Sequence, residues 1–302
     1  MRIDRSGKII EDFYVLGRPE APVYMLNGAA PSLFDAGFTA LSRAYEQDIK
    51  RVLGSRSPCY LFVTHAHFDH VGAASYLKKL WPEMKVVGSA RTKQILSRPK
   101  AIELIRDLNQ KTVDLLRPMV GDAVYEKPFQ SFDIDIVLEP GQIIQLDSNC
   151  HIEPIHTPGH TWDFMSYWVP EKKILVASEA VGCEDGSGYI FTEFLVDYDA
   201  YRKSLQALAR LDAQVLCQGH GLVFTGRDVK KHTTLSLEQA DRYVAMVEET
   251  LRKEKGDIEK AVAHVKALEW DSRPWPKQPE PAYILNTQAR VSRVWEKMQK
   301  FD

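Results

Sequence analysis

At 302 residues, with 44% apolar and 26% charged side chains and a formal net charge of −2, the chain has the composition of a globular protein able to bury a core. Its balanced charge, without a basic or acidic tail, argues against nucleic acid or a membrane surface as partner. The opening MRIDRSGKIIEDFYVLG has no apolar signal region, and no run approaches the ~20 apolar residues of a membrane-spanning helix. Four scattered cysteines without a CxxC pair predict a reduced, cytoplasmic protein.

In chain order, FYVLG, PVYMLNG and SLFDAGF read as short strands with turns. CYLFVT, from Cys59 to Thr64, is a continuous apolar run of the kind found in a strand buried on both faces, and it ends on a cluster of histidines. VGAASYLKKLW predicts a helix and MKVVGSA a strand. From Ala101 to Met119 the pattern turns helical, with Ile105, Leu108 and Leu115 on one face. A second series begins near Phe132. FDIDIVL alternates with period two, and GQIIQL, HIEPIHT, MSYWV and KKILVAS extend the strand-rich stretch. A glycine-rich loop follows, then a helix carrying Tyr201, Leu205, Leu208 and Leu211, then AQVLCQGHG as a strand running into a loop. Strands precede a helix twice over, which predicts an α/β fold of two packed sheets with helices outside.

After about Arg227 the pattern becomes helical. LSLEQADRYVAMVEETLRK forms one helix, and Asp257 caps a second with Ile258, Ala261, Val262, Val265 and Leu268 as its stripe. The proline-rich WDSRPWPKQPEP is expected to be neither helix nor central strand, with a last helix from about Asn286. The expected division is therefore a main domain over 1–230 and a helical cap over 231–302.

The chemistry concentrates in THAHFDHVGA, which brings His65, His67, Asp69 and His70 within six residues at the end of a buried strand. Alternation in an extended chain points His65 and His67 the same way, toward one cation; a turn into the following helix swings Asp69 and His70 toward a second position. Three later strand ends each add one candidate: His160 in HTPGHT, Glu179 in LVASEAVG and His220 in CQGHG. Imidazole and carboxylate suit zinc, iron or manganese.

This combination resembles the metallo-β-lactamase superfamily, over about residues 10–227. The resemblance implies a four-layer αββα sandwich and a binuclear site for two divalent transition-metal ions, zinc foremost. By carry-over, His65, His67 and His160 hold one metal, and Asp69, His70 and His220 the other. Glu179 falls where the family has a bridging aspartate, one methylene shorter. Asp35, in FDAG, matches the family's early Asp-x-Gly turn and is expected beside the ligands.

Two such ions would share a water and lower its pKa from 15.7 towards ~7, and Asp69 is placed to ligate one metal and orient that water's proton. Neither a Ser-His-Asp arrangement nor a thiol nucleophile is required. In plan the chain is similar to glyoxalase II-type and 2-aminobenzoylacetyl-CoA thioesterases. That favours a small-molecule ester or thioester substrate (acyl-CoA or glutathione type) over lactones and phosphodiesters, or over a regulatory protein that keeps the metals but acts through a partner. Trp162, Phe164, Cys183, Tyr189, Phe191, Trp270 and Trp275 are the candidate pocket residues, and a homodimer is compatible with the helical stripes.

Overall fold

The computed structural model describes residues 1–139, 141–273 and 278–300. The first half of the chain builds one seven-stranded sheet, in spatial order Gly7–Ile10, Phe13–Arg18, Ala21–Leu26, Ser32–Phe34, Tyr60–Phe62, Lys85–Ser89 and Ile136–Leu138. It begins as an antiparallel meander and becomes parallel from Ser32 onward. The second half builds another: Val223–Thr225, Val215–Gln218, Ile174–Ser178, Met165–Val169, Cys150–His156 and Ile144–Asp147, with Arg2–Ile3 on its outer edge. Among the described residues, only the pairing of Ile174–Ser178 with Val215–Gln218 is parallel there.

Apolar side chains occupy three interfaces. Between the sheets, Phe13, Tyr24, Phe34, Phe62, Tyr167, Val176 and Cys217 form a closed core. Outside the first sheet, Leu33, Leu61 and Val86 meet the helices Ser42–Leu53 and Pro99–Val120 through Tyr45, Ile49, Ile105 and Val113. Outside the second, Leu175, Ala177 and Leu216 meet Tyr201 and Leu205 and then the C-terminal helices through Val229, Tyr243, Val247, Val265 and Val291. The result is four layers, helix–sheet–sheet–helix, as the strand–helix alternation predicts. The C-terminal helices share the core of the second half, and their first, Arg227–Lys253, starts before residue 231.

Two buried tyrosines tie the sheets together near their ends. The Tyr167 hydroxyl donates to the carbonyl of Val63 at 2.6 Å, and that of Tyr24 to the carbonyl of Gln218 at 2.6 Å. Both acceptors lie two residues before a histidine, His65 and His220, so these bonds fix the strand ends from which those histidines project.

The proline-rich segment departs from expectation at both ends. Trp270 and Asp271 belong to a π-helical turn, Ala267–Asp271, and the last helix spans Glu280–Met298, six residues earlier than Asn286. Pro281 sits in the first turn of that helix, where no intrahelical N–H bond is lost. Leu268, expected in an apolar stripe, is half exposed, because the helix has already widened into the π-turn. His156 lies exposed at the end of its strand, where its Nε2 meets the carbonyl of Trp162.

Candidate metal centre

Four loops at the carboxyl ends of strands converge, the usual place for a site in sheets with parallel strands. The strand Tyr60–Phe62 leads through Val63 and Thr64 to His65 and His67; the short helix Phe68–Val71 follows and turns Asp69 and His70 inward. The turn after Cys150–His156 brings His160, the strand Ile174–Ser178 delivers Glu179, and the strand Val215–Gln218 runs out to His220. The donors form three overlapping groups: His65, His67 and His160; His65, His70 and Glu179; Asp69, His70 and His220. Within each, all donor atoms lie within 4.8 Å of one another. Glu179 stands near the centre, with Oε1 2.8 Å from Nε2 of His70 and 3.1 Å from Nε2 of His220, and Oε2 4.0 Å from Nδ1 of His65.

The outward nitrogen of four of these rings has its own partner, which fixes the tautomer. Thr64 Oγ1 lies 2.9 Å from Nδ1 of His65 and also donates to Asp35. Since the carboxylate can only accept, the imidazole N–H donates to the threonine. Nδ1–H of His70 donates to Asp35 at 2.9 Å, that of His160 to the carbonyl of Glu193 at 2.6 Å, and that of His220 to the carbonyl of Glu20 at 2.7 Å. In His70, His160 and His220, Nε2 is turned inward. His67 instead presents Nδ1, 3.1 Å from Nε2 of His160. Nε2 of His65 and Oε2 of Glu179, both fully buried, have no hydrogen-bond partner among the described residues. Orphaned lone pairs of this kind are costly unless a cation takes them, and the nitrogen–oxygen donor set suits a divalent transition metal.

Electrostatics agree. Burial, reinforced by neighbouring imidazoles, holds His65 well below the ordinary histidine range and His160 down to about 3, so both are neutral donors. Burial also disfavours charge on His220 and His70. The Glu179 carboxylate outweighs it, aided by Asp69 and, at His70, by Asp35, so that His220 is pushed up to about 9 and His70 well above its usual value. Glu179 is desolvated too, but the surrounding imidazoles keep its carboxyl well below the usual range.

Asp35, at φ 59, accepts from the backbone N–H and hydroxyl of Thr64 and from His70, bracing both sides of the cluster. Asp163 does the same job and has no counterpart in the sequence reading. Buried at 2% exposure, it accepts from the backbone N–H of Ala66, between His65 and His67, and from the hydroxyl of Thr92. Its signal was a charged residue in the turn just after His160.

The candidate pocket residues separate. Trp162 is 40% exposed. Tyr189 and Phe191, on the hairpin formed by Cys183–Glu184 and Ile190–Phe191, are half-buried and meet edge to face at 5.1 Å. Phe164 is instead fully buried, stacked on His65 at 4.6 Å behind the donors. Cys183 is buried, and burial together with the charges of Glu179 and Glu193 pushes its thiol well up, which keeps it protonated. Trp270 is buried on Tyr283, with its indole N–H donating to the carbonyl of Gln278; Tyr283 in turn meets Phe191. It therefore stands one layer behind the hairpin. Trp275 lies outside the described residues.

The chain belongs to the metallo-beta-lactamase superfamily, whose family model matches residues 21–220. It is 25% identical over 219 residues to the probable metallo-hydrolase YflN of Bacillus subtilis, covering 67% of this chain and 79% of that protein. It is 20% identical over 263 residues to the atrochrysone carboxyl ACP thioesterase of Aspergillus fumigatus, covering 85% of this chain and 66% of that protein. The archaeal superfamily protein ST1585 from Sulfolobus tokodaii has a similar fold, with a TM-score of 0.62, 19% identity and coverage of 95% of this chain and all of that one. Among the described residues no helix is long and apolar enough to cross a membrane.

Proposed function

We propose that the protein is a binuclear metal-dependent hydrolase acting on a thioester of acyl-CoA or glutathione type, in the cytoplasm. The observation that carries the metal reading is the convergence of seven oxygen and nitrogen donors around two orphaned buried lone pairs. His65, His67 and His160 would hold one ion and Asp69, His70 and His220 the other, with Glu179 between them. Bound there, two divalent ions (zinc first, iron or manganese as alternatives) supply an acidified water at neutral pH and polarise the reacting carbonyl. The protein's own part is orientation. Asp35, Thr64 and the carbonyls of Glu193 and Glu20 fix the rings, and Asp69, half-buried at the rim, is placed to accept a proton from the attacking water.

The thioester reading is supported by the likeness to the Aspergillus thioesterase, with which 85% of the chain aligns. Tyr189 and Phe191 would form one wall for the acyl part and Trp162 an outer edge, with the helical segment 231–302 as the cap behind that wall. The test is a panel of acyl-CoA, glutathione thioester, lactone and bis(p-nitrophenyl) phosphate substrates, given to the protein before and after metal removal. Thioester hydrolysis that disappears with the metals and returns with zinc is expected. A clear preference for the phosphodiester or lactone would overturn the substrate class, and full activity without metal would overturn the mechanism.

A further inference from the structure

We infer that His232 and Ser236, on the helix Arg227–Lys253 beyond the matched family region, are positioning residues for Glu179. The inference rests on the reading of Glu179 as the ligand between the two metals.

Glu179 stands on a turn that the backbone does not adopt freely. Ser178, just before it, has φ 48 and ψ −131, a region that non-glycine residues enter only at a cost and keep only where their surroundings over-determine it. The strand's register shifts between Val176 and Ser178, so the sheet loosens its hold just ahead of the turn. Gly182 closes the turn at φ 70, its N–H returning to the carbonyl of Glu179 at 2.9 Å.

The restraint comes from the outer helix layer. Nε2–H of His232 and the hydroxyl of Ser236 both donate to the carbonyl of Val181, at 3.0 and 2.7 Å. The two donors lie one helical turn apart, and both side chains are buried at 2% exposure. His232 lies over Phe224 at 4.2 Å, and its Nδ1 has no partner among the described residues. A side chain retained for packing alone would not bring an unpaired nitrogen into this core. Ser236 reaches the turn because residue 182 is glycine: a Cβ there would lie 3.2 Å from the serine oxygen and 2.6 Å from Ile190. The helix thus grips the carbonyl two residues after Glu179 with two bonds, and sets where the carboxylate stands.

The test titrates the metal-free forms of wild type, Ser236→Ala, His232→Leu, His232→Gln and Glu179→Gln with zinc against a competing chelator, and records melting temperature separately. Glu179→Gln should lose the weaker-bound zinc. Ser236→Ala and His232→Leu should each bind it about tenfold less tightly, and His232→Gln should recover part of the loss, because its amide N–H can reach the same carbonyl. A merely structural role would lower the melting temperature and leave the zinc affinity of the folded protein unchanged. That result, alongside a loss in Glu179→Gln, would overturn the inference alone; both zinc ions retained in Glu179→Gln would overturn the reading of the site beneath it. Should His232→Leu not fold, Ser236→Ala carries the test, since it removes a single oxygen.

Discussion

Glu179 is the residue at which sequence and structure have most to say to each other. A glutamate where the resemblance expects aspartate needs room for one more methylene, and Gly219 provides it: a Cβ at 219 would lie 2.1 Å from Oε1 of Glu179. Gly219→Ala is therefore expected to displace the carboxylate and lower metal content while leaving the circular dichroism spectrum intact. Adding Glu179→Asp should restore part of the metal, because the shorter acid withdraws from the new methyl group. Elemental analysis of the single and double variants checks this, and a double variant no better than Gly219→Ala would contradict it. The convergence of donor types was legible because histidine and acid clusters carry their chemistry in the side chain. Their outer partners at Glu20 and Glu193 were not, since any residue can offer a backbone carbonyl.

The same residues fix the pH behaviour of the metal-free protein. His160 titrates near 3 in the folded state against 6.5 when exposed, so the unfolded chain binds more protons between those values. Stability therefore falls as pH drops through that window, and the lowered Glu179 adds to the loss. His220, at about 9, has the opposite sign: its stabilising pairing with Glu179 is fully present below 6.5 and is lost as pH rises through 9. Urea midpoints of the metal-free protein should be highest near pH 6.5 and fall on both sides. A midpoint rising steadily from pH 5 to 9 would contradict the assignment. Zinc must also evict the proton from His220, so its affinity should climb with pH until about 9.

At the scale of elements, apolar spacing predicted the helix Pro99–Val120, but Leu115, expected on its apolar face, is 56% exposed, and the helix's polar contribution was not legible. Asn109, buried at 1% exposure, accepts from the backbone N–H of Thr39 at 2.9 Å and donates to the carbonyl of Phe68 at 2.8 Å. It thereby pins the His-x-His-x-Asp-His segment from behind. Asn109→Ala should cost about 2 kcal/mol in urea unfolding, because two buried backbone groups lose their partner, and should weaken zinc binding as well. Unchanged unfolding would mean that water replaces the amide. The last helix starts before Asn286 for a physical reason: proline excludes a helix interior, yet it suits a first turn, and composition alone does not say which applies.

For the whole molecule, the layering followed from the strand–helix alternation, whereas the strand order within each sheet and the contacts of the C-terminal helices depend on long-range pairing that no local pattern encodes. Arg290, on the last helix, lies 2.9 Å from Glu269 and donates to the carbonyl of Thr192 at 3.0 Å, with both charged side chains almost wholly buried. Tyr189 and Tyr283 also donate to Glu269, at 2.8 and 2.6 Å. The C-terminal helices and the hairpin are thus joined through one polar knot. Arg290→Ala leaves a buried carboxylate unpaired and should cost about 3–5 kcal/mol, whereas Arg290→Met with Glu269→Gln should cost far less. Thermal or urea unfolding of the pair decides it; equal losses would show that the charges are not what the knot needs.

The division of the donors between the two halves of the chain has a consequence for biosynthesis. His65, His67, Asp69 and His70 leave the ribosome together, whereas His220 follows 150 residues after His70. At about 5–20 residues per second, that is a delay of roughly 8–30 s. During this interval the nascent chain displays three imidazoles and a carboxylate with no second sheet to cover them. If these donors hold metal as proposed, whichever divalent ion is most available to the emerging chain would occupy that half first, before the later donors close around it, and metal identity would be open to kinetic selection as well as to the affinity of the finished site.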